Sequence, residues 1–145
     1  MKPPLEAAVG YLRRYAVTRW ELARWLVGKG YERSQVRDVL HVLERLGYLR
    51  DAWVLQSRVE NARRRLWSRR RTARDLRRRG IPKSVVRKAL DRWYPLEREG
   101  EIFSRWLQRY RGRPVSEVVR RARQQGFARR WVLRWRSGEV HNPSC

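Results

Sequence analysis

The 145-residue chain is poor in the residues that carry chemistry: one cysteine, one methionine and two histidines, with 14 acidic residues against 37 lysines and arginines. A single cysteine, Cys145, excludes an intramolecular disulfide and any multi-cysteine metal site. It fits a reducing, intracellular setting. No apolar run approaches the ~18 residues of a membrane span, and the opening MKPPLEAAVGYLRRY lacks the apolar stretch of a secretory signal. A soluble, cytoplasmic protein without membrane contact is the expectation. No glycine-rich GxxxxGK loop is present, so nucleotide binding and hydrolysis are not expected. Sustained two-residue alternation is missing too, which argues against β-strands.

Catalysis finds no constellation to rest on. His41 lies in an apolar helical stretch without a second ligand or a cysteine nucleophile, and reads as a partly buried structural residue. His141 lies near the end of the chain. The densest acidic group, Glu97, Glu99 and Glu101, surrounds Arg98 at a helix start, where carboxylates favour the positive helix end. The chain therefore reads as a non-enzyme with no metal and no cofactor.

What is abundant is positive charge and tryptophan. The formal net charge is +23 with a sequence pI near 11.7, an excess that repels itself in a compact body and suits a polyanionic partner or an acidic protein surface. Hydrophobic residues make up 41% of the chain and tryptophans number eight, too many for a disordered basic tail. At this length roughly 70% of the unfolded surface can be buried, so the charge sits on a folded protein.

Three stretches repeat one pattern: TRWELARWLVGKGYERSQVRDVLHVL, SRRRTARDLRRRGIPKSVVRKAL and PVSEVVRRARQQGFARRWVLRW. Their register is set by Gly30, Gly80 and Gly126. Leu26, Leu76 and Ala122 stand four residues before each glycine, Tyr31, Ile81 and Phe127 one after, and Val36, Val86 and Val132 six after. Apolar residues at matched offsets on both sides of a glycine predict two helices folded against each other across a left-handed turn. Repetition of the pattern predicts an all-α array of tandem three-helix units.

Thr18 and Glu21 form a T-x-x-E capping box that opens a helix bearing Leu22 and Leu26 and stopped by Gly28 to Gly30. A second helix is predicted over about 33–46, with Val36, Val39, Leu40, Leu43 and Leu46 on one face. A third begins at Asp51, placed as an N-cap, and carries Val54, Leu55, Val59, Ala62 and Leu66. Further helices are predicted over 68–79, 82–93 and 95–110, with Pro82 and Pro95 in first turns. A last pair spans 114–136. The boundaries read as an N-terminal extension (1–15), a first repeat (16–66), a second (67–111), an incomplete third (112–136) and a flexible tail (137–145).

These segments resemble the RecX family, bacterial regulators of the RecA recombinase. The resemblance covers about residues 16–135 and rests on GYLRDAWV (Gly47 to Val54), which is similar to the family's glycine, hydrophobic, leucine, aspartate junction. ELARWLVGKG and DLRRRGI add to it by their order and spacing. Arg50 departs from the family where a second acid is common, Asp75 replaces the usual glutamate, and Arg79 and Gln125 stand where lysine precedes the glycine. The resemblance implies three tandem three-helix repeats in an elongated, curved body. It also implies binding in the groove of a RecA filament on DNA, with inhibition of strand exchange and ATPase activity in DNA repair, homologous recombination and the SOS response. A monomer is expected.

Ten arginines fall between 63 and 79: Arg63, Arg64, Arg65, Arg69, Arg70, Arg71, Arg74, Arg77, Arg78 and Arg79, offset only by Asp75. A helix face so lacking in opposite charge repels itself, which favours a phosphate- or carboxylate-binding surface over an idle solvated face. Among the aromatic residues, Phe127, Trp131 and Trp135 recur at helical spacing and read as core, as do Trp53, Trp93 and Trp106. Trp20 and Trp25 align with Arg70 and Asp75, then with Ser116 and Arg121. Positions polar in two copies are expected to be exposed in the third and available to bases or a protein partner. Trp25 reads equally as the margin of the core stripe. The alternative to a recombinase regulator is a stand-alone, non-specific DNA- or RNA-binding repeat protein.

Overall fold

A computed structural model describes residues 1–139 and is helical throughout, with no strand among the described residues. In chain order the helices are α1 (Pro4–Arg14), α2 (Arg19–Gly28), α3 (Arg33–Arg45), α4 (Asp51–Arg64), α5 (Arg69–Arg78), α6 (Lys83–Trp93), α7 (Leu96–Leu107), α8 (Val115–Gln125) and α9 (Arg129–Arg136). A short 3-10 turn, Gln108–Tyr110, follows α7. Cys145, His141 and most of the expected tail lie outside the described residues.

The glycine register holds. Gly30, Gly80 and Gly126 have φ of 100°, 89° and 83°, the left-handed conformation that closes a Schellman turn. In each turn the following residue's N–H reaches back to the matched carbonyl: Tyr31 to Leu26 and Ile81 to Leu76 at 3.3 Å, Phe127 to Ala122 at 3.1 Å. The same six residues are buried. The repeated apolar offsets are thus the contacts that hold α2 to α3, α5 to α6 and α8 to α9.

Grouping of the helices differs from the expected boundaries. Residues 1–15 are not an extension: α1 packs on α2 and α3, its Ala8 fully buried in a core with Val17, Leu22, Leu26, Tyr31, Val36, Val39 and Leu43. The helix expected to close the first repeat, α4, instead packs on α6 and opens the second unit. By the same shift α7 opens the third, which is complete with α8 and α9. A short connection makes consecutive helices neighbours, but the apolar face decides the partner. Leu55 and Val59 of α4 lie in the core of α4 to α9, and Val54 and Ala62 on the same helix are also buried.

Other expectations change with this shift. Trp53 is 60% exposed rather than core, and Leu46 and His41 lie on the surface. Asp51 is the first residue of α4 and Arg50 its N-cap. The Asp51 carboxylate accepts instead from the Arg19 N–H at 2.9 Å and Arg19 Nε at 2.6 Å, tying α4 to the start of α2.

Gly100, in the middle of α7, shows how closely α9 approaches. A Cβ built there would lie 2.8 Å from the buried Trp131 ring. In an exposed helix Gly→Ala adds about 1 kcal/mol of stability. Here the substitution is expected to destabilise by about 1–3 kcal/mol, because the ring must leave its packed position. Chemical denaturation of Gly100→Ala checks the sign.

Candidate polyanion-binding cleft

The ten arginines do not form one surface; the fold divides them. Arg69 is structural. Its N–H donates to Glu99 Oε2 at 2.7 Å, its Nε to the Tyr94 carbonyl at 2.7 Å, and its Nη2 to Asp91 at 3.0 Å. This repeats the arrangement of Arg19, whose N–H and Nε meet Asp51 and whose guanidinium pairs with Glu44 at 2.8 Å. Two related clamps therefore hold the start of the second helix of a unit, α2 or α5, to the helix that opens the next unit, α4 or α7. Arg63 donates to the Trp93 carbonyl at 3.1 Å and lies over the Tyr94 ring. Tyr94 is fully buried and donates to the Trp67 carbonyl at 2.7 Å. Burial, with Glu99 close by, raises its phenol well above the usual tyrosine range.

Arg79 pairs with Asp75 at 3.2 Å and with Glu21 at 3.5 Å. Arg77 donates to the Ile81 carbonyl at 3.0 Å. Arg64 and Arg65 lie exposed at the end of α4, Arg64 within reach of Asn61 and Arg65 near the Trp67 ring.

Four arginines remain, and the fold brings them together. Arg70, Arg71, Arg74 and Arg78 line a cleft of about 420 Å³ with Trp67 on one side and Arg123, Gln124 and Gln125 on the other. Helical spacing sets Arg70, Arg74 and Arg78 in one row along α5. The facing wall is the C-terminal end of α8, drawn in because Ser68 Oγ donates to the Gln125 carbonyl at 2.6 Å while capping α5. Arg71 lies 4.2 Å from the Trp67 ring centroid and donates to Gln125 Oε1 at 2.9 Å. Asp75 is the one acid lining the cleft, and it is taken by Arg79. Among the described residues none of Arg70, Arg71, Arg74, Arg78 and Arg123 has an ion-pair partner.

The equivalent junction between the first and second units shows what is unusual here. Trp20, Glu21 and Arg24 occupy the positions of Arg70, Arg71 and Arg74. Glu21 takes Arg58 as well as Arg79, and Arg24 donates to the Arg78 carbonyl at 2.5 Å, ending α5. Trp20 packs against the core of α4 to α9. One junction is filled and carries a paired carboxylate. The other is open and positive.

Trp20 and Trp25 accordingly leave the candidate surface. Both are half-buried: Trp20 seals the first junction, and Trp25 stacks on Tyr11 of α1 with centroids 4.1 Å apart. Their counterparts are polar because the second and third copies have different neighbours there. Arg123, in contrast, belongs to the cleft but stands far from the arginine run in sequence. Its only early signal was its place in the turn before Gly126.

Glu21 also makes the junction sensitive to acid. Burial acts to raise its carboxyl, but Arg58 and the Thr18 N–H and hydroxyl outweigh that and hold it below the ordinary value of 4.5. A carboxyl depressed in the fold contributes stability above its unfolded pKa and loses it as pH falls through the folded one. The thermal midpoint is therefore expected to fall below about pH 4.5, and less steeply in Glu21→Gln, as calorimetry across pH 3 to 7 would show.

Helices in a three-unit array, glycine-closed pairs and a basic cleft at one junction define an α-helical repeat protein with an open, positively charged cleft. The comparisons narrow this class. Residues 51–90, which contain α4, α5 and most of α6, match the family model described as RecX, second three-helix domain. Regulatory protein RecX of Caldanaerobacter subterraneus subsp. tengcongensis is 26% identical over 118 residues, covering 80% of this chain and 60% of the relative. The chain thus spans about 60% of the length of that curated relative. A crystal structure of regulatory protein RecX superposes with a TM-score of 0.71 at 20% identity, over 88% of this chain and 67% of that one, and shares the fold. The chain is similar to RecX proteins in sequence and in fold. No helix among the described residues is long and apolar enough to cross a membrane.

Proposed function

We propose that the protein regulates a RecA-type recombinase by lying in the groove of the recombinase filament on DNA, without consuming nucleotide. The observation that carries this reading is the cleft of Arg70, Arg71, Arg74, Arg78 and Arg123, five guanidinium groups that pair with no carboxylate among the described residues. A guanidinium fork is matched to phosphate and carboxylate oxygens alike. A filament groove presents both, as DNA backbone and acidic side chains. Similarity to RecX proteins supports the recombinase as the protein component. Occupation of the groove would block strand exchange and the filament's ATP hydrolysis sterically and electrostatically, in the cytoplasm and as a monomer.

Binding decides between a filament ligand and a plain nucleic-acid binder. Fluorescently labelled protein is titrated with filaments assembled on single-stranded DNA with a non-hydrolysable nucleotide, and separately with the naked strand at the same ionic strength. Filaments are expected to bind at least about tenfold more tightly, the gain of one additional well-made contact region. Equal affinity for the naked strand would return the protein to the class of non-specific DNA or RNA binders.

A further inference from the structure

Beside the polar cleft, across a ridge formed by Arg70, Arg123 and Gly126, lies a second groove of about 720 Å³ between α5–α6 and α8–α9. Its floor is different in kind: Leu90 and Leu96 face Val132 and Leu133. Leu133 is 51% exposed, in a helix of eight residues where the other face carries the core contact of Trp131. Around this floor stand Arg70, Arg123, Arg129 and Arg136, all exposed and none in an ion pair among the described residues. Glu99 also lines the groove but is 2% exposed, its oxygens engaged by the N–H groups of Arg69 and Ala128 and by the Trp131 indole. It offers little charge to a ligand.

We infer that this groove binds an acidic amphipathic segment of a protein partner, which seats two apolar side chains on the Leu90, Leu96, Val132 and Leu133 floor and pairs flanking carboxylates with the arginine rim. Phosphodiester backbone would leave the apolar floor against water or against charge. An uncharged apolar helix would leave four guanidinium groups without partners. A segment with leucine-type residues one helical turn apart and glutamates around them satisfies both, and the volume lies within the range of grooves that enclose such anchors. The inference does not rest on the phosphate-facing role of the neighbouring cleft, since the two share only the residues of the ridge.

The test uses the full chain and a fluorescein-labelled peptide of about four helical turns, built of glutamate and alanine with leucines at i and i+4. A companion peptide has serine at both leucine positions. The leucine peptide is expected to bind at least about tenfold more tightly than the serine peptide, as burial of one or two leucine-sized groups requires. Leu133→Glu, at an exposed position, should weaken the leucine peptide by a similar factor and leave binding of a single-stranded oligonucleotide within about twofold. Amide shifts of the unmodified chain should move in α9 and at Leu96 with the leucine peptide, which locates the site even if a variant folds poorly.

Equal affinity for the two peptides would overturn the inference. So would an oligonucleotide loss in Leu133→Glu as large as the peptide loss, which would assign the groove to nucleic acid. Self-association abolished by Leu133→Glu would assign it to a second copy. Peptide binding that appears only after removal of residues 140–145 would assign it to the chain's own end.

Discussion

Replacing Arg70, Arg74 and Arg78 together by glutamate is expected to lower affinity for a DNA strand by about a hundredfold or more at ~0.1 M salt, and to flatten its salt dependence by about 2 to 3 in log–log slope. The slope follows from about 0.7 to 0.9 counterions released per neutralised phosphate, taken over three contacts. Stability should move little or rise. Among the described residues none of the three side chains has an ion pair to lose, and the row they form along α5 repels itself. Arg69→Glu is the contrasting variant: it breaks the Asp91 pair and the bond to the Tyr94 carbonyl, so it should lower the thermal midpoint before it affects binding. If both variants lost DNA equally while remaining folded, the division of the arginine run into structural and cleft members would be wrong.

Glu99→Ala is expected to produce the largest loss of stability of any single change, about 3–5 kcal/mol. One carboxylate at 2% exposure satisfies three donors, the N–H groups of Arg69 and Ala128 and the Trp131 indole N–H, at 2.7, 2.9 and 3.1 Å. Each buried donor left without a partner costs about 1–3 kcal/mol. Truncation also opens space beside Trp131. At this chain length the change corresponds to roughly 10 to 20 °C in the thermal midpoint. Glu99→Gln keeps an acceptor oxygen for Ala128 and Trp131 but turns an NH2 toward the Arg69 N–H, so it should fall between. Circular dichroism melting curves of the three proteins give the order. A Glu99→Ala midpoint within about 2 °C of the parent would mean that these donors are satisfied in another way.

What could be read before the fold was known was local. Gly30, Gly80 and Gly126, with their apolar partners at matched offsets, are a one-dimensional signal of a turn geometry, and the structure places them in that geometry. The capping box of Thr18 and Glu21 is present as well. Helix partnership is not local. α1 was hidden because its deepest residue, Ala8, is small and the helix lies before the first copy of the glycine-centred repeat. α4 and α7 were assigned to the units they follow because chain order resembles contact order. Trp53 shows the same limit: its side of α4 turns out to face solvent, which depends on where α6 lies.

The candidate site divides along the same line. Composition alone located a basic element at residues 63–79, and helical spacing put Arg70, Arg74 and Arg78 in one row. The loss of Arg69 and Arg79 from that surface needed Asp91, Glu99 and Glu21, which are 22 to 58 positions away and arrive by folding. Arg123 arrives the same way. Trp20 and Trp25 were singled out correctly as positions that break the repeat, but the break reflects different neighbours at the first junction and on α1 rather than an exposed surface. Exceptions to a repeat mark where its copies meet different surroundings, and only the fold tells solvent from a neighbouring helix.

The central claim, that the cleft between α5 and α8 acts on a recombinase filament, is tested most directly by DNA-dependent ATP hydrolysis of a RecA-type recombinase. Rates are measured with the unmodified protein and with the Arg70→Glu, Arg74→Glu, Arg78→Glu variant, each added well below one molecule per DNA binding site. The account predicts inhibition by the unmodified protein at these ratios and little or none by the variant. Inhibition that appears only when the DNA is fully coated, or that the variant produces equally, would contradict it.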